Sequence, residues 1–390
     1  MNRNTSPRLR FAGFAGEWER KTLGEVTFKV KEKNTQLQYS ETLTNSAEFG
    51  IISQRDFFDN DVSNAENIGS YYVVQPNDFV YNPRISSFAS VGPIKRNKLG
   101  RTGVMSPLYY VFRLNNEAVL PSYLEHYFEG EQWHSFMFLN GDSGARSDRF
   151  SIKNDVFTEM PLALPTKPEQ TALGDFFRRL DETLAQARAR LAKTQQLKRA
   201  MLAKLFPAHG ETAPKLRFQG FSGDWERKVL GEVSTIKTGS SNREDSDLSG
   251  EYTFFDRSQD VRRSNTYLFD CEAVIMAGEG SEFPPKYFVG KFDLHQRSYA
   301  IMNFKECDGL FVFYYLHLMN DYFYNQAVGS TVKSLRLPMF TEMPIILPSK
   351  EEQTAIGNFF QKLDQTLALQ SAALEKLTRL KKALLAAMLV

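Results

Sequence analysis

The chain has 390 residues, 42% of them hydrophobic and 13% aromatic, with a formal net charge of +2; that length asks for two or three domains, and that composition excludes a disordered chain. So small an excess of positive charge excludes an indiscriminate polycation, and two cysteines, Cys271 and Cys307, cannot staple a protein of this size, which points to a reducing compartment. MNRNTSPRLRF lacks an apolar leader core, and the most apolar run, Leu310 to Met319, is half a membrane span and holds His317, so a soluble cytoplasmic protein with no membrane partner is expected.

In chain order, the opening block PRLRFAGFAGEWERKTLGEV, Pro7 to Val26, returns as PKLRFQGFSGDWERKVLGEV, Pro214 to Val233, with 15 of 20 positions identical. Its tryptophans, Trp18 and Trp225, are expected to pack rather than to bind. The interior from 27 to 160 alternates apolar runs with turns: EFGIISQ, SYYVVQPNDFVYNP and MSPLYYVFRL read as strands, and Pro121 to Leu139 as a helix. Phe79 to Asn116 contains no acidic residue and carries Arg84, Lys95, Arg96, Lys98, Arg101 and Arg113. A later loop, Gly141 to Lys153, holds Gly144 and feeds Arg146, Arg149 and Lys153. Guanidinium groups on a glycine-bearing loop suit a phosphate or a guanine edge.

Phe157 to Phe206 opens with FTEMPLALPTKPEQTALGDFFRRLDETLA and is answered from Phe340 by FTEMPIILPSKEEQTAIGNFFQKLDQTLA, 20 of 29 positions identical at an offset of 183. Both copies predict a long helix. Thr166 to Glu169 and Ser349 to Glu352 fit capping boxes, and Pro168 lies in the first turn, where no amide is needed. A seam of apolar residues follows: Leu173, Phe177, Leu180, Leu184 and Leu191 in the first copy, Ile356, Phe360, Leu363, Leu367 and Leu374 in the second. Such a seam wants a partner helix, and each copy is the natural partner of the other. Forty residues of helix reach about 60 Å, so the pair would act as a spacer.

The second interior, 234 to 343, has the texture of the first without its identity: TYLFDCEAVIM echoes SYYVVQPNDFVY only loosely. Its basic candidates are Arg257, Arg262, Arg263, Lys286, Lys291, Arg297, Lys333 and Arg336, the last two on a glycine-led loop placed like the one at Gly141. The expected organisation is 1–160, a first domain; 161–206, a long helix; 207–213, a linker; 214–343, a second domain; and 344–390, a second long helix. The fold class is α+β, two mixed globules separated by two long helices in a pseudo-two-fold internal repeat. Matched borders around divergent interiors fit two readers of different targets.

Catalytic signatures are missing. There is no GxxxxGK[ST] loop, no HExxH and no CxxC, and the five histidines lack ligand spacing, so no metal is expected. Asn82-Pro83-Arg84 and Phe283-Pro-Pro-Lys286 both miss the Pro-Pro-aromatic pattern of amino-methyltransferases.

The duplicated LRFxGFxGxWERKxLGEV and PxxLPxxxEQTAxGxFFxxLDxTLA motifs, in the order block, variable domain, helix, resemble the specificity subunits of type I restriction and modification enzymes over essentially the whole chain. The resemblance implies a non-catalytic subunit with two target recognition domains, each reading one half of a bipartite sequence in double-stranded DNA. The helices would pair as an antiparallel coiled coil that sets the unread gap. It also implies two methyltransferase subunits, which would carry S-adenosylmethionine, this chain having no cofactor of its own, and further restriction subunits. The competing reading is a duplicated coiled-coil adaptor whose heads bind proteins.

Overall fold

The repeated sequence blocks become a repeated frame. The computed structural model, which describes residues 6–57, 65–115, 117–142, 148–258, 260–330 and 332–390, divides into two units, residues 1–187 with 373–390 and residues 188–372. Strands of the first unit are β1 (Glu19–Thr22), β2 (Thr27–Lys29), β3 (Leu43–Ser46), β4 (Gly50–Ser53), β5 (Tyr72–Val74), β6 (Phe79–Tyr81), β7 (Ile94–Arg96), β8 (Gly103–Met105), β9 (Tyr110–Leu114) and β10 (Pro161–Leu164). The opening block supplies β1 and the approach to the long helix supplies β10. They pair antiparallel, Glu19 opposite Leu164.

In the second unit β11 (Glu226–Val229) stands to β20 (Pro344–Leu347) as β1 stands to β10, with Glu226 opposite Leu347. Leu23 N donates to Met160 O at 2.8 Å and Leu230 N to Met343 O at 2.9 Å, so the chain after each opening strand is tied at the same place. A glycine follows each leucine. At Gly231 a Cβ would lie 2.8 Å from the Thr341 carbonyl, so only glycine permits this approach. Trp18 and Trp225 are both buried, as packing residues would be.

Five helices matter to the site: α1 (Pro121–Glu129), α2 (His134–Asn140), α3 (Lys167–Leu205), α4 (Gly309–Leu318) and α5 (Lys350–Met388). The single helix expected over 121–139 is two, because α1 stops at Gly130, whose carbonyl accepts from Trp133 Nε1 at 3.0 Å. The glutamates read as capping residues meet the repeated arginines. Glu169 takes the Arg10 guanidinium at 2.6 Å on each oxygen, and Glu352 takes Arg217 in the same fork. The next residue locks the helix start: Gln170 Oε1 accepts from Leu120 N and its Nε2 donates to Pro165 O, while Gln353 does the same with Asp308 N and Pro348 O. Arg, Glu and Gln are therefore repeated because each buried polar group needs its partner.

Helix α3 gives residues 167–187 to the first unit and the rest to the second, and α5 is divided the other way. In the first unit Leu173 and Phe177 of α3 share a core with Leu385 and Met388 of α5. In the second, Leu205 and Phe206 share one with Ile356 and Phe360. Within each unit the early turns of one helix meet the late turns of the other, so the two run antiparallel. Leu184 is buried, and Leu180, Leu191, Leu363, Leu367 and Leu374 are half-buried.

The interiors differ. The first holds a sheet ordered β2-β9-β6-β7 with antiparallel neighbours, beside the hairpin β3–β4 and the pair β5–β8. The second holds β12 (Thr235–Thr238), β13 (Tyr252–Phe255), β14 (Arg262–Ser264), β15 (Phe269–Ala277), β16 (Glu279–Gly280), β17 (Lys286–Leu294), β18 (Ser298–Met302) and β19 (Lys333–Ser334). Six of them order as β12-β18-β15-β17-β13-β14, with β13 parallel to β17. Successive side chains leave opposite faces of a strand. Hence Phe79 and Tyr81 join the core under the long helix while Val80 joins a second core, and Val274 and Met276 divide from Ala273 and Ile275 in the same way. The central strands β6, β9 and β18 are buried on nearly every residue, which is why they read as apolar runs rather than alternating ones. No helix among the described residues is long and apolar enough to cross a membrane.

Candidate nucleic-acid interface

In each unit a return segment crosses the end of a central strand. In the first, Phe150 N donates to Pro83 O at 2.7 Å and Arg84 bridges Arg149. In the second, Leu335 N donates to Gly278 O at 2.8 Å and β16 pairs with β19, Glu279 opposite Ser334. The two loops that the sequence reads as equivalents thus cross the strand end at equivalent places but with different chemistry, Arg84 and Arg149 meeting in the first unit and Glu279 and Ser334 in the second.

In the first unit Arg84 is exposed and 3.7 Å from Asp148, so this ion pair is weak in water. Lys153 is exposed, and Arg149 is half-buried. Arg146 and Gly144 lie outside the described residues. Much of the acid-free stretch finds acids elsewhere in the fold: Arg96 and Lys98 both reach Glu125, Arg101 forks onto Glu41 at 2.7 Å, and Arg113 forks onto Asp78. The Arg101 guanidinium holds the Glu41 carboxyl below its ordinary range. Lys95 stands half-buried on β7.

A second basic group surrounds buried Asp256 in the second unit. Arg243 and Arg262 each lie 3.9 Å from its carboxylate, Arg262 also donates to Ser246 Oγ, and Arg257 is exposed next in sequence. Lys286 donates to Ser258 O and stands over the Phe255 ring; burial pushes its ammonium below the ordinary lysine value despite Asp256 and Asp260. Arg263 donates to the carbonyls of Gly250 and Glu251. Farther off, Lys291 lies over Tyr267, Arg297 forms a 2.9 Å pair with Glu279, Lys333 stacks over Tyr324, and Arg336 is exposed. The candidates therefore fall into a strand-crossing group and an Asp256 group, with Lys291 apart from both.

Sequence reasoning missed the neutral part of the first site. A cleft of about 620 Å³ lies between the hairpin β3–β4, the segment Asn82–Ser86 and the turn before β9, with Arg84 and Arg149 on its wall. Two asparagines hold it: Asn45 Nδ2 donates to Val80 O and Pro93 O, and Asn82 Nδ2 donates to Asn45 O, while Asn82 Oδ1 accepts from Arg84 N. Phe88 is 73% exposed and Leu108 62% exposed at its rim. A phenylalanine in the polar turn ISSFAS was the available signal.

At the helix pair, Lys381 of α5 reaches Glu129 at 2.6 Å and also bonds Asp181, with His126 Nδ1 3.2 Å from Glu129. His126, Glu129 and Asp181 could converge on a cation. The Lys381 ammonium already fills that role, and its ion pairs raise it above the ordinary lysine value against the effect of burial.

Two units built on one frame, each with its own interior and a basic strand crossing, have the fold of the specificity subunits of type I restriction and modification systems. A crystal structure of the S subunit from M. genitalium aligns over 99% of both chains with a TM-score of 0.63 at 15% identity. A chain from a study of complex assembly and conformational transition of the type I system aligns over 94% of this chain and 96% of its own, TM-score 0.54, 18% identity. Residues 222–379 match the model of the family described as Type I restriction modification DNA specificity domain. The EcoDI specificity subunit of Escherichia coli is 34% identical over 145 residues, 37% of this chain. That match spans about a third, 32%, of the relative's length.

Proposed function

We propose that this chain is the DNA specificity subunit of a type I restriction and modification complex, non-catalytic in itself and working in the cytoplasm. Residues 1–160 and 214–343 are the two recognition domains, each reading one half of a bipartite, asymmetric duplex target. The helices of 161–206 and 344–390 set the unread gap and dock two methyltransferase subunits, which bring S-adenosylmethionine and take adenine out of the stack. Restriction subunits join that assembly.

The observation that carries this reading is the same frame built twice around interiors of different sheet order, with the second copy matching the specificity-domain family model. A duplicated enzyme serving one chemistry would keep its interiors alike. The pairing of Arg96, Lys98 and Arg101 with Glu125 and Glu41 fits a subunit whose neighbours supply much of the phosphate contact.

The test is reconstitution with methyltransferase subunits from the same source. The complex is expected to retain one duplex sequence over scrambled competitors and to methylate it, and this chain alone to do neither methylation nor cleavage. Retention without sequence preference, or catalysis by the isolated chain, would contradict the proposal.

A further inference from the structure

The cleft of the first unit carries more than cations. Three of its lining residues keep a buried side-chain oxygen with no hydrogen-bond partner among the described residues: Thr42 Oγ1, Asn45 Oδ1 and Gln54 Oε1. Such oxygens are costly to leave unpaired, and three in one place are uncommon in a folded protein. The Asn45 amide cannot relieve its own by turning over, because its Nδ2 already donates to Val80 O at 2.7 Å and to Pro93 O at 3.2 Å. The floor of the cleft is therefore rich in acceptors, its wall carries Arg84 and Arg149, and its rim exposes Phe88 and Leu108.

We infer that this cleft takes a base edge bearing an exocyclic amino group, adenine N6 or cytosine N4, within the half-site of the first unit; the inference rests on the DNA-reading role proposed above. In the major groove these amino groups are the donors that a duplex presents, and acceptor side chains are what reads them. Gln54 at the base of the hairpin supplies the acceptor that meets the amino group. Arg84, whose paired acid Asp148 is itself exposed, and Arg149 bind the flanking phosphate or a neighbouring guanine edge. Phe88 and Leu108, apolar and outward, pack against the flanking base or a thymine methyl. The second unit places Glu279 where the first has Arg84, so its half-site is read by different contacts.

The experiment uses the reconstituted complex and duplexes in which single adenines or cytosines of the target are replaced by analogues lacking only the amino group. Removal at one position of one half-site should weaken retention about tenfold or more, and Gln54→Leu should weaken the normal duplex while erasing that difference. Phe88→Ala, at an exposed turn, should lower discrimination in the same half-site and leave the other unchanged. Amino deletions without effect, or effects that persist undiminished in Gln54→Leu, would overturn the inference even while the complex still discriminated sequences. Should Gln54→Leu fail to fold, a Phe88→Ala complex with both half-sites read as before would overturn it. A complex that binds all duplexes alike would overturn the DNA-reading role itself.

Discussion

Lys381 bonds Asp181 in the first unit, and Lys198 bonds Asp364 in the second. The repeat offset of 183 carries Asp181 to Asp364 and Lys198 to Lys381, so each ion pair joins one copy of the helix to the other in an antiparallel register. The surroundings differ: His126 and Glu129 complete the first cluster, while the Tyr314 hydroxyl donates to Asp364 at 2.7 Å in the second.

Removing the ammonium leaves Glu129 and Asp181 facing each other half-buried. Lys381→Ala is expected to cost about 2 kcal/mol, since an unpaired charge loses more than the pair contributed. Asp181→Ala in that background should restore part of the loss. A double-mutant cycle by urea denaturation checks this, and additive losses would place the stabilisation elsewhere.

The same cluster fixes a pH dependence. Burial alone would raise Glu129, but His126 and Lys381 hold it well below the ordinary carboxylate range. A depressed folded value means that the unfolded chain binds more protons, so this contribution is complete above about pH 4.5 and drains away as pH falls further. Lys381, raised above its ordinary value, contributes fully below about pH 10 and loses that contribution as pH rises past its folded value. Melting curves between pH 3 and 7 should show a shallower acid loss for Glu129→Gln than for the parent chain. Equal slopes would remove Glu129 from the account.

Gln170 and Gln353 lock the helix starts through three groups each. Replacing either with leucine keeps the volume but strands a part-buried amide, Leu120 N or Asp308 N. Each is expected to cost about 2 kcal/mol, and hydrogen exchange at the stranded amide should accelerate in the altered unit. Exchange unchanged at that amide would contradict the lock.

A seven-residue insertion at 185–191 falls between Asp181 and Lys198. Made in α3 alone, it shifts Lys198 against Asp364 and should abolish assembly or disturb the gap between half-sites. A matching insertion between Asp364 and Lys381 of α5 should restore assembly and lengthen the permitted gap. Unchanged gap and activity in the single insertion would refute the ruler role proposed for the helices.

What was legible in the sequence follows from where identity was available. The frame could be read because both copies print it: the buried tryptophans and the seam residues Leu173, Phe177, Ile356 and Phe360 all lie in repeated blocks, as do β1 and β10, whose pairing the repeat did not announce. The expected caps were half the story, because Arg10 and Arg217 are local in neither case; each comes from the opening block more than a hundred residues away. Sheet order was not legible, since runs buried on both faces look alike whichever neighbour they take. The cleft was missed for a related reason. Charge draws attention to Arg84 and Arg149, but Asn45, Gln54 and Phe88 become a site only when two hairpin turns and a strand end are brought together.

The central claim is that each unit reads its own half-site. Its most direct test is to replace residues 27–160 with the corresponding interior of another specificity subunit and to sequence the methylated adenines left by the full complex. The account predicts that one half of the bipartite sequence changes while the other half stays as it was. A change in both halves, or in neither with methylation intact, would contradict it.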